Sequence, residues 1–257
     1  ASVGYYNSAY IDGVITIFMI LFGVNFNLYF FLLMRDWKPV WKNEELKTYL
    51  LLILSASLLI TLNMNHLYAN PLKAFRYAVF QVASIITTTG YATADYTHWP
   101  MFSQCVLLLL MIIGASASST GGGMKVARFM MMAKCVRRGI TQMIHPKAVS
   151  IIRMNGKKVD TDVLTNLYIY LMAYIGIVAG SVLLVSIDNM DFGTTFSSVL
   201  TTLNNIGPGI EAVGPNGNFA HFSPLSKLVF CFDMLAGRLE IFPFLMLFTA
   251  SAWNRKF

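Results

Sequence analysis

Four stretches of the chain, Ile11 to Met34, Thr48 to Met64, Leu164 to Ile187 and Leu225 to Trp253, are long and apolar enough to cross a bilayer as helices. A hydrocarbon core of about 30 Å takes roughly 20 apolar residues in a helix. A fifth run starts near Pro100, passes through Leu107 to Ile113 and meets Gly114. Ala115 to Gly123 are small or hydroxyl-bearing, a poor helix former, and a Met-rich basic helical stretch follows. That pattern predicts one membrane helix broken in its middle. Composition agrees: 12% of the residues are charged and 56% hydrophobic, whereas a soluble domain carries about a quarter charged. So few charges cannot cover a soluble surface, and lipid is the expected solvent and partner.

The net charge of +7 would suit nucleic acid, but its placement argues for topology instead. Arg35, Lys38, Lys42 and Lys47 lie in one loop, and nine cations lie between Lys125 and Lys158. Arg255 and Lys256 follow the last span. The intervening segments hold Lys73 and Arg76 in one and no cation from Asn189 to Pro224 in the other. The positive-inside rule makes the basic loops cytoplasmic, with this chain's N-terminal end outside and its C-terminus inside. The opening Ala1-Ser2-Val3-Gly4 has no initiator methionine and no signal-peptide n-region, as expected of a chain whose beginning is missing.

Two outside segments are too short to span and too apolar to ignore. Asn70-Pro71 is a helix start, Phe75 to Ile86 suits a short helix, and Thr87-Thr88-Thr89-Gly90-Tyr91-Ala92 returns outward. The second segment repeats the plan, with a short helix from Asp191 to Leu203 and a return through Asn204-Asn205-Ile206-Gly207-Pro208-Gly209. Non-helical backbone survives at membrane depth only inside protein or beside a water-filled cavity. Gly90 and Gly207 hold equivalent places, with Phe80 and Phe196 at similar distances before them. Gly114 and Gly237 sit near the middle of the spans that follow. The expected fold is an all-α integral membrane protein of repeated span–pore helix–filter loop–span units around a pore. Residues 1–34 form the closing helix of a preceding unit and 35–47 a cytoplasmic loop. Residues 48–142 are a repeat with filter loop 87–92, 143–163 a linker, and 164–257 a repeat with filter loop 204–209.

A potassium ion entering a pore must exchange its water shell for oxygen ligands, and rings of backbone carbonyls supply them. A glycine lets the backbone take positive φ, so that successive carbonyls point to one axis. Thr88-Thr89-Gly90-Tyr91-Ala92 has the Thr-x-Gly-Tyr-Gly pattern of potassium-channel filters, except that Ala92 replaces the last glycine. The string alone also fits an ordinary turn; its place after a short apolar helix between two spans makes it a filter. The preceding helix would aim the negative end of its dipole at the cavity, favouring a cation.

Taken together, Thr87 to Tyr91, Ser116 to Lys125, Asn204 to Gly209 and Ala236 to Pro243 resemble the potassium-uptake superfamily of Trk, Ktr and HKT transporters, most closely its TrkH-type pore subunits. The resemblance covers nearly the whole chain. It implies four such repeats around one pore, of which this chain carries the third and fourth plus the closing helix of the second. It implies gated potassium uptake across the bacterial inner membrane, with the ion held at Thr88, Thr89, Asn205 and Ile206 and the filter completed by Gly90, Tyr91, Gly207 and Pro208. A loop through Gly114, Gly121, Gly122, Gly123 and Lys125 would gate the pore, with Arg238 as a positive barrier below the filter. A homodimer and a cytoplasmic ring of nucleotide-binding regulatory subunits are the implied partners. The stretch Arg128 to Arg153 would dock that ring or meet anionic lipid head groups. No cofactor is implied, potassium being the transported substrate.

Other readings remain open on the residues alone. A sodium-permeable or sodium-coupled transporter uses the same architecture; in this superfamily serine in place of a filter glycine is linked to sodium passage. An intramembrane serine enzyme would need a histidine near Ser118 or Ser119, and none occurs within the broken helix. The Gly-rich run fails the phosphate-loop pattern because Met124 precedes Lys125 and Val126 follows it. Arg238 pairs with Asp233 or Glu240 in the plainer alternative to a barrier. Cys105, Cys135 and Cys231 are expected to be buried free thiols, and His66, His98, His145 and His221 lack metal-ligand spacing. Tyr96, Trp99, Trp37 and Trp41 suit interfacial belts, and Met130 to Met132 a packing surface.

Overall fold

The computed structural model describes residues 3–68, 70–147, 151–239 and 241–246. In chain order the helices are α1 (Ala9–Phe22), α2 (Phe26–Leu33), α3 (Trp37–Lys42), α4 (Glu44–Asn63), α5 (Pro71–Ile86), α6 (Met101–Ile113) and α7 (Val126–Ile144). A small hairpin of β1 (Arg153–Met154) and β2 (Lys157–Lys158) follows, then α8 (Thr161–Val185), α9 (Phe192–Leu203), α10 (Pro224–Arg238) and α11 (Ile241–Met246).

One plan occurs twice. The short helix α5 packs against α4 and α6, and α9 packs against α8 and α10. Both short helices start on a side-chain cap. Asn70 Oδ1 accepts from the Leu72 amide at 2.9 Å, and Asp191 Oδ2 from the Thr194 amide at 2.8 Å. Such caps satisfy amides that the first turn leaves without helical partners. Toward their C-termini both helices are buried without interruption, from Phe80 to Ile86 and from Ser197 to Leu203. Helix α4 shows the opposite distribution. Tyr49, Ile53, Ala56 and Ile60 face the core, while Leu50, Leu51, Leu54, Leu58 and Leu62 are exposed. An apolar outer face of this kind suits a lipid solvent.

Among the described residues, two helical segments are individually long and apolar enough to cross a membrane, Glu44–Asn63 and Thr161–Asp188. The expected span from Ile11 to Met34 is instead two helices, α1 and α2, meeting at 92°. Asn25 caps α2 by accepting from the Asn27 amide at 3.0 Å, and a distant loop takes up the carbonyls freed at the bend. The fifth run is broken as expected: α6 ends at Ile113 and α7 begins at Val126. The last run is divided between α10, which ends at Arg238, and α11 from Ile241 to Met246, while residues 247–253 of that expected span, with Arg255 and Lys256, lie outside the described residues.

Helix α1 is joined to α5 by an ion pair between the buried Asp12 and the half-buried Arg76, Oδ2 to Nε at 3.3 Å. Two expectations about burial need correction. The thiols are free, but Cys105 and Cys231 are exposed and Cys135 half-buried, because their helices turn these positions away from the core. Tyr96 and Trp99 are buried and meet edge to face at 6.2 Å, so they are core residues, while Trp37 and Trp41 are exposed. Met130, Met131 and Met132 are half-buried, and Met130 and Met132 pack against the two core clusters as expected.

Candidate functional site

The C-terminal ends of α5 and α9 hand over to the two return loops by the same set of hydrogen bonds. In the first, the amides of Thr87, Thr88 and Thr89 donate to the carbonyls of Ala83, Ile85 and Ser84 at 3.1, 3.1 and 2.9 Å. In the second, Asn204, Asn205 and Ile206 donate to Leu200, Thr202 and Thr201 at 3.0, 3.1 and 2.9 Å. Thr88 and Asn205 both take positive φ, 54° and 56°, as do Gly90 and Gly207 at 78° and 109°. One buried hydroxyl then closes each loop: Ser84 Oγ donates to Tyr91 O at 2.6 Å, and Thr201 Oγ1 to Pro208 O at 3.0 Å. Each of these three amide bonds and the hydroxyl bond in the first loop thus has its counterpart 117 positions on.

That register corrects two sequence-based equivalences. Phe80 is matched by Ser197, while the partly buried Phe196 stacks on Phe192. Gly114 ends α6 at φ 72°, whereas Gly237 lies inside α10, where a side chain would strike the carbonyl of Leu203. Ser84 and Thr201 were not among the expected site residues. Their signal is a hydroxyl six residues before each loop glycine.

The two loops are in contact. A Cβ on Gly90 would collide with the carbonyl oxygen of Ile206 and lie 3.1 Å from Pro208 Cδ. Together with its positive φ, this admits only glycine at position 90 without rearrangement. Thr89, Tyr91 and Gly207 are exposed along the open side, while the Ile206 side chain is buried in the core. The Asn205 amide donates to Met234 O at 3.1 Å, so its side chain anchors the loop to α10. Asn204 Nδ2 likewise reaches Tyr174 Oη and Leu200 O, at 3.0 and 2.9 Å. Beyond the loops, Asn216 Nδ2 donates to Asp95 Oδ2 at 2.9 Å and bridges the two repeats.

The break between α6 and α7 lies against the bases of both loops. The Gly122 amide donates to Thr88 Oγ1 at 2.8 Å. A Cβ on Gly122 would come within 2.5 Å of Asn204 O, and one on Gly121 within 3.2 Å of Thr87 O. Gly123 and Lys125 take positive φ, 78° and 77°, and the amides of Met124 and Lys125 return to Ile112 and Ile113 O. The loop also covers the bend between α1 and α2. Ser116 N donates to Gly23 O, Thr120 Oγ1 to Phe22 O, and Phe26 N to Ser118 O. These bonds explain why a continuous apolar run bends where it does: the carbonyls it frees find partners in the loop.

Arg238 is exposed at the end of α10, and its Nη1 donates to Thr120 O at 3.3 Å. Asp233 does not pair with it but accepts from Ser181 Oγ at 2.7 Å, and Glu240 lies outside the described residues. Ser119 Oγ donates to Ser116 O, which occupies it structurally. The structure therefore gathers Gly121, Gly122, Gly123, Lys125 and Arg238 beneath the two loops, around a cavity of about 330 Å³. Among the described residues, no cluster of three or more histidine, cysteine or carboxylate side chains has metal-binding geometry.

Two re-entrant loops, each launched from the buried C-terminal end of a helix packed between two apolar ones, define a membrane protein of the pore-loop class. The TrkH family model, described as a cation transport protein, matches residues 1–255. The chain is 36% identical over 257 residues to the Trk system potassium uptake protein TrkH of Salmonella typhimurium, covering 99% of this chain and 53% of that one. It is 31% identical over 241 residues to the potassium uptake protein TrkI of Halomonas elongata, covering 93% and 49%. The crystal structure of the potassium transporter TrkH from Vibrio parahaemolyticus matches with a TM-score of 0.91 at 33% identity, over 99% of this chain and 55% of that one. This chain belongs to the TrkH family and is an all-α integral membrane protein built of span–pore helix–filter loop–span repeats. It spans about half the length of the curated relatives it matches.

Proposed function

We propose that this chain supplies half the wall of a gated pore for potassium uptake. The observation that carries the reading is the shared scaffold of the two loops, in which three amide bonds and one hydroxyl bond recur at a spacing of 117 residues. Such a scaffold holds backbone carbonyls at fixed places around one axis, and fixed carbonyls can replace the water shell of a dehydrated ion. The potassium ligands are the carbonyls of Thr88, Thr89, Asn205 and Ile206. Gly90, Tyr91, Gly207 and Pro208 complete the two filter walls. The C-termini of α5 and α9 add negative potential at the base of the filter.

The loop from Gly114 to Lys125 is the gate, with Arg238 latched to it through Thr120 as a positive barrier. The distribution of Lys and Arg supports a location in the bacterial inner membrane, with the Asp95 end outside and the α7–β1–β2 region cytoplasmic. The names of the relatives support a Trk-type assembly; a homodimer docked on a cytoplasmic nucleotide-binding ring through the region Arg128 to Arg153 is the form we favour.

The test is rubidium or potassium uptake by the full-length parent of this chain in liposomes, comparing wild type with Gly90→Ser under sodium competition. Uptake that favours potassium in the wild type and loses that preference in the variant is expected. No cation flux, or flux indifferent to the substitution, would overturn the reading.

A further inference from the structure

The gating loop is held at its far edge by a carboxylate with no place in the filter or the barrier. Glu45, in the first turn of α4, is 5% exposed. Its Oε1 accepts from the Ala117 amide at 2.6 Å, and its Oε2 from Asn25 Nδ2 at 3.5 Å. No ion pair to Glu45 is present among the described residues. Two features offset the cost of burying it. It sits at a helix N-terminus, where the dipole favours a negative group, and both of its oxygens receive protein donors. Ala117 lies in the loop and Asn25 at the bend between α1 and α2, so one side chain grips both parts of the joint.

Glu44 makes a separate set of contacts. It pairs with Lys134 of α7, accepts from the Asn155 amide at 3.1 Å, and through its own amide donates to Asn155 Oδ1 at 2.8 Å. Consecutive residues at the start of α4 therefore hold different things: Glu44 the hairpin and α7, Glu45 the loop.

We infer that Glu45 is a positioning residue for the gate, holding the loop of residues 114–125 in its closed place beneath the filter through the Ala117 amide. The inference rests on the reading of that loop as the gate. A hydrogen bond to a charged group is among the stronger ones available here, and it acts on a loop that is otherwise rich in glycine and serine. A residue that merely supports folding would, when removed, lower both stability and flux. Removal of a positioning group here releases a closed gate, and flux rises.

The experiment uses the full-length parent. Amide hydrogen exchange is followed at Ala117 and rubidium uptake is measured in liposomes, for wild type, Glu45→Ala, Glu45→Gln and Glu44→Ala. Glu45→Ala is expected to raise exchange at Ala117 and basal uptake, each about tenfold. Glu45→Gln keeps the shape and a neutral acceptor, so a rise of about threefold is expected; it decides the matter if the alanine variant is not recovered in membranes. Glu44→Ala should raise exchange at Asn155 and leave Ala117 as in wild type. Unchanged exchange at Ala117 in the Glu45 variants would overturn the inference, as would raised exchange with unchanged uptake in a preparation whose wild type conducts. An equal effect of Glu44→Ala at Ala117 would overturn it too. A wild type without flux would instead remove the transport reading, and this inference with it.

Discussion

The amide of Gly122 donates to the hydroxyl of Thr88 at 2.8 Å, tying the loop that interrupts one membrane helix to the base of a filter loop 34 residues earlier in the chain. Thr88→Val keeps the shape and β-branching of the side chain while removing that acceptor. A neutral hydrogen bond contributes about 0.5–1.5 kcal/mol. Rubidium uptake should therefore rise a few fold in Thr88→Val and return toward wild type in Thr88→Ser.

Ser84 and Thr201 occupy the same place in the two repeats, each closing its loop from a buried position. Ser84→Ala and Thr201→Val should each cost about 1 kcal/mol in thermal unfolding. Each should also weaken potassium-over-sodium preference, and to a similar degree. A large selectivity change in one and none in the other would show that the loops are alike in form but not in use.

Arg238 reaches Thr120 O from the end of α10. Arg238→Ala removes both a charge below the filter and a latch on the loop, so uptake should increase by about tenfold. Unchanged transport rates would remove the barrier assignment.

Asp95 links the two repeats through Asn216. Partial burial pushes its pKa up, but hydrogen bonds from the Thr97 hydroxyl and amide and from Asn216, with the nearby His98, outweigh this and hold it below the usual carboxylate value. A group whose folded pKa is depressed contributes stability above its unfolded pKa of about 3.9 and loses it as pH falls through the folded value. Thermal stability should therefore fall below about pH 4 more steeply in wild type than in Asp95→Asn. Parallel pH profiles for the two would show that the bridge contributes nothing.

Much of this arrangement is legible in the sequence because its signals are local. Asn70-Pro71 marks a helix start, Thr88 to Tyr91 a filter turn, and the run from Gly114 to Lys125 a break. What escaped was set by residues far apart. In the apolar run from Ile11 to Met34, Gly23 and Asn25 mark the place of the 92° bend only weakly, because the partners of the freed carbonyls, Ser116 and Thr120, lie more than 90 residues on. Trp99 resembles an interfacial residue by composition and position, yet it packs against Tyr96 in the core. Ser84 stands out only when the loops are aligned at Gly90 and Gly207.

The pair between Asp12 and Arg76 joins a helix of one unit to the short helix of the next. Parting them would leave the buried Asp12 carboxylate without its charged partner, whereas Arg76, with 27% of its side chain exposed, would keep part of its hydration. On the proposed reading of the loop of residues 114–125 as a gate, this seam is a tie that keeps α1 beside α5 while the movement is left to that loop.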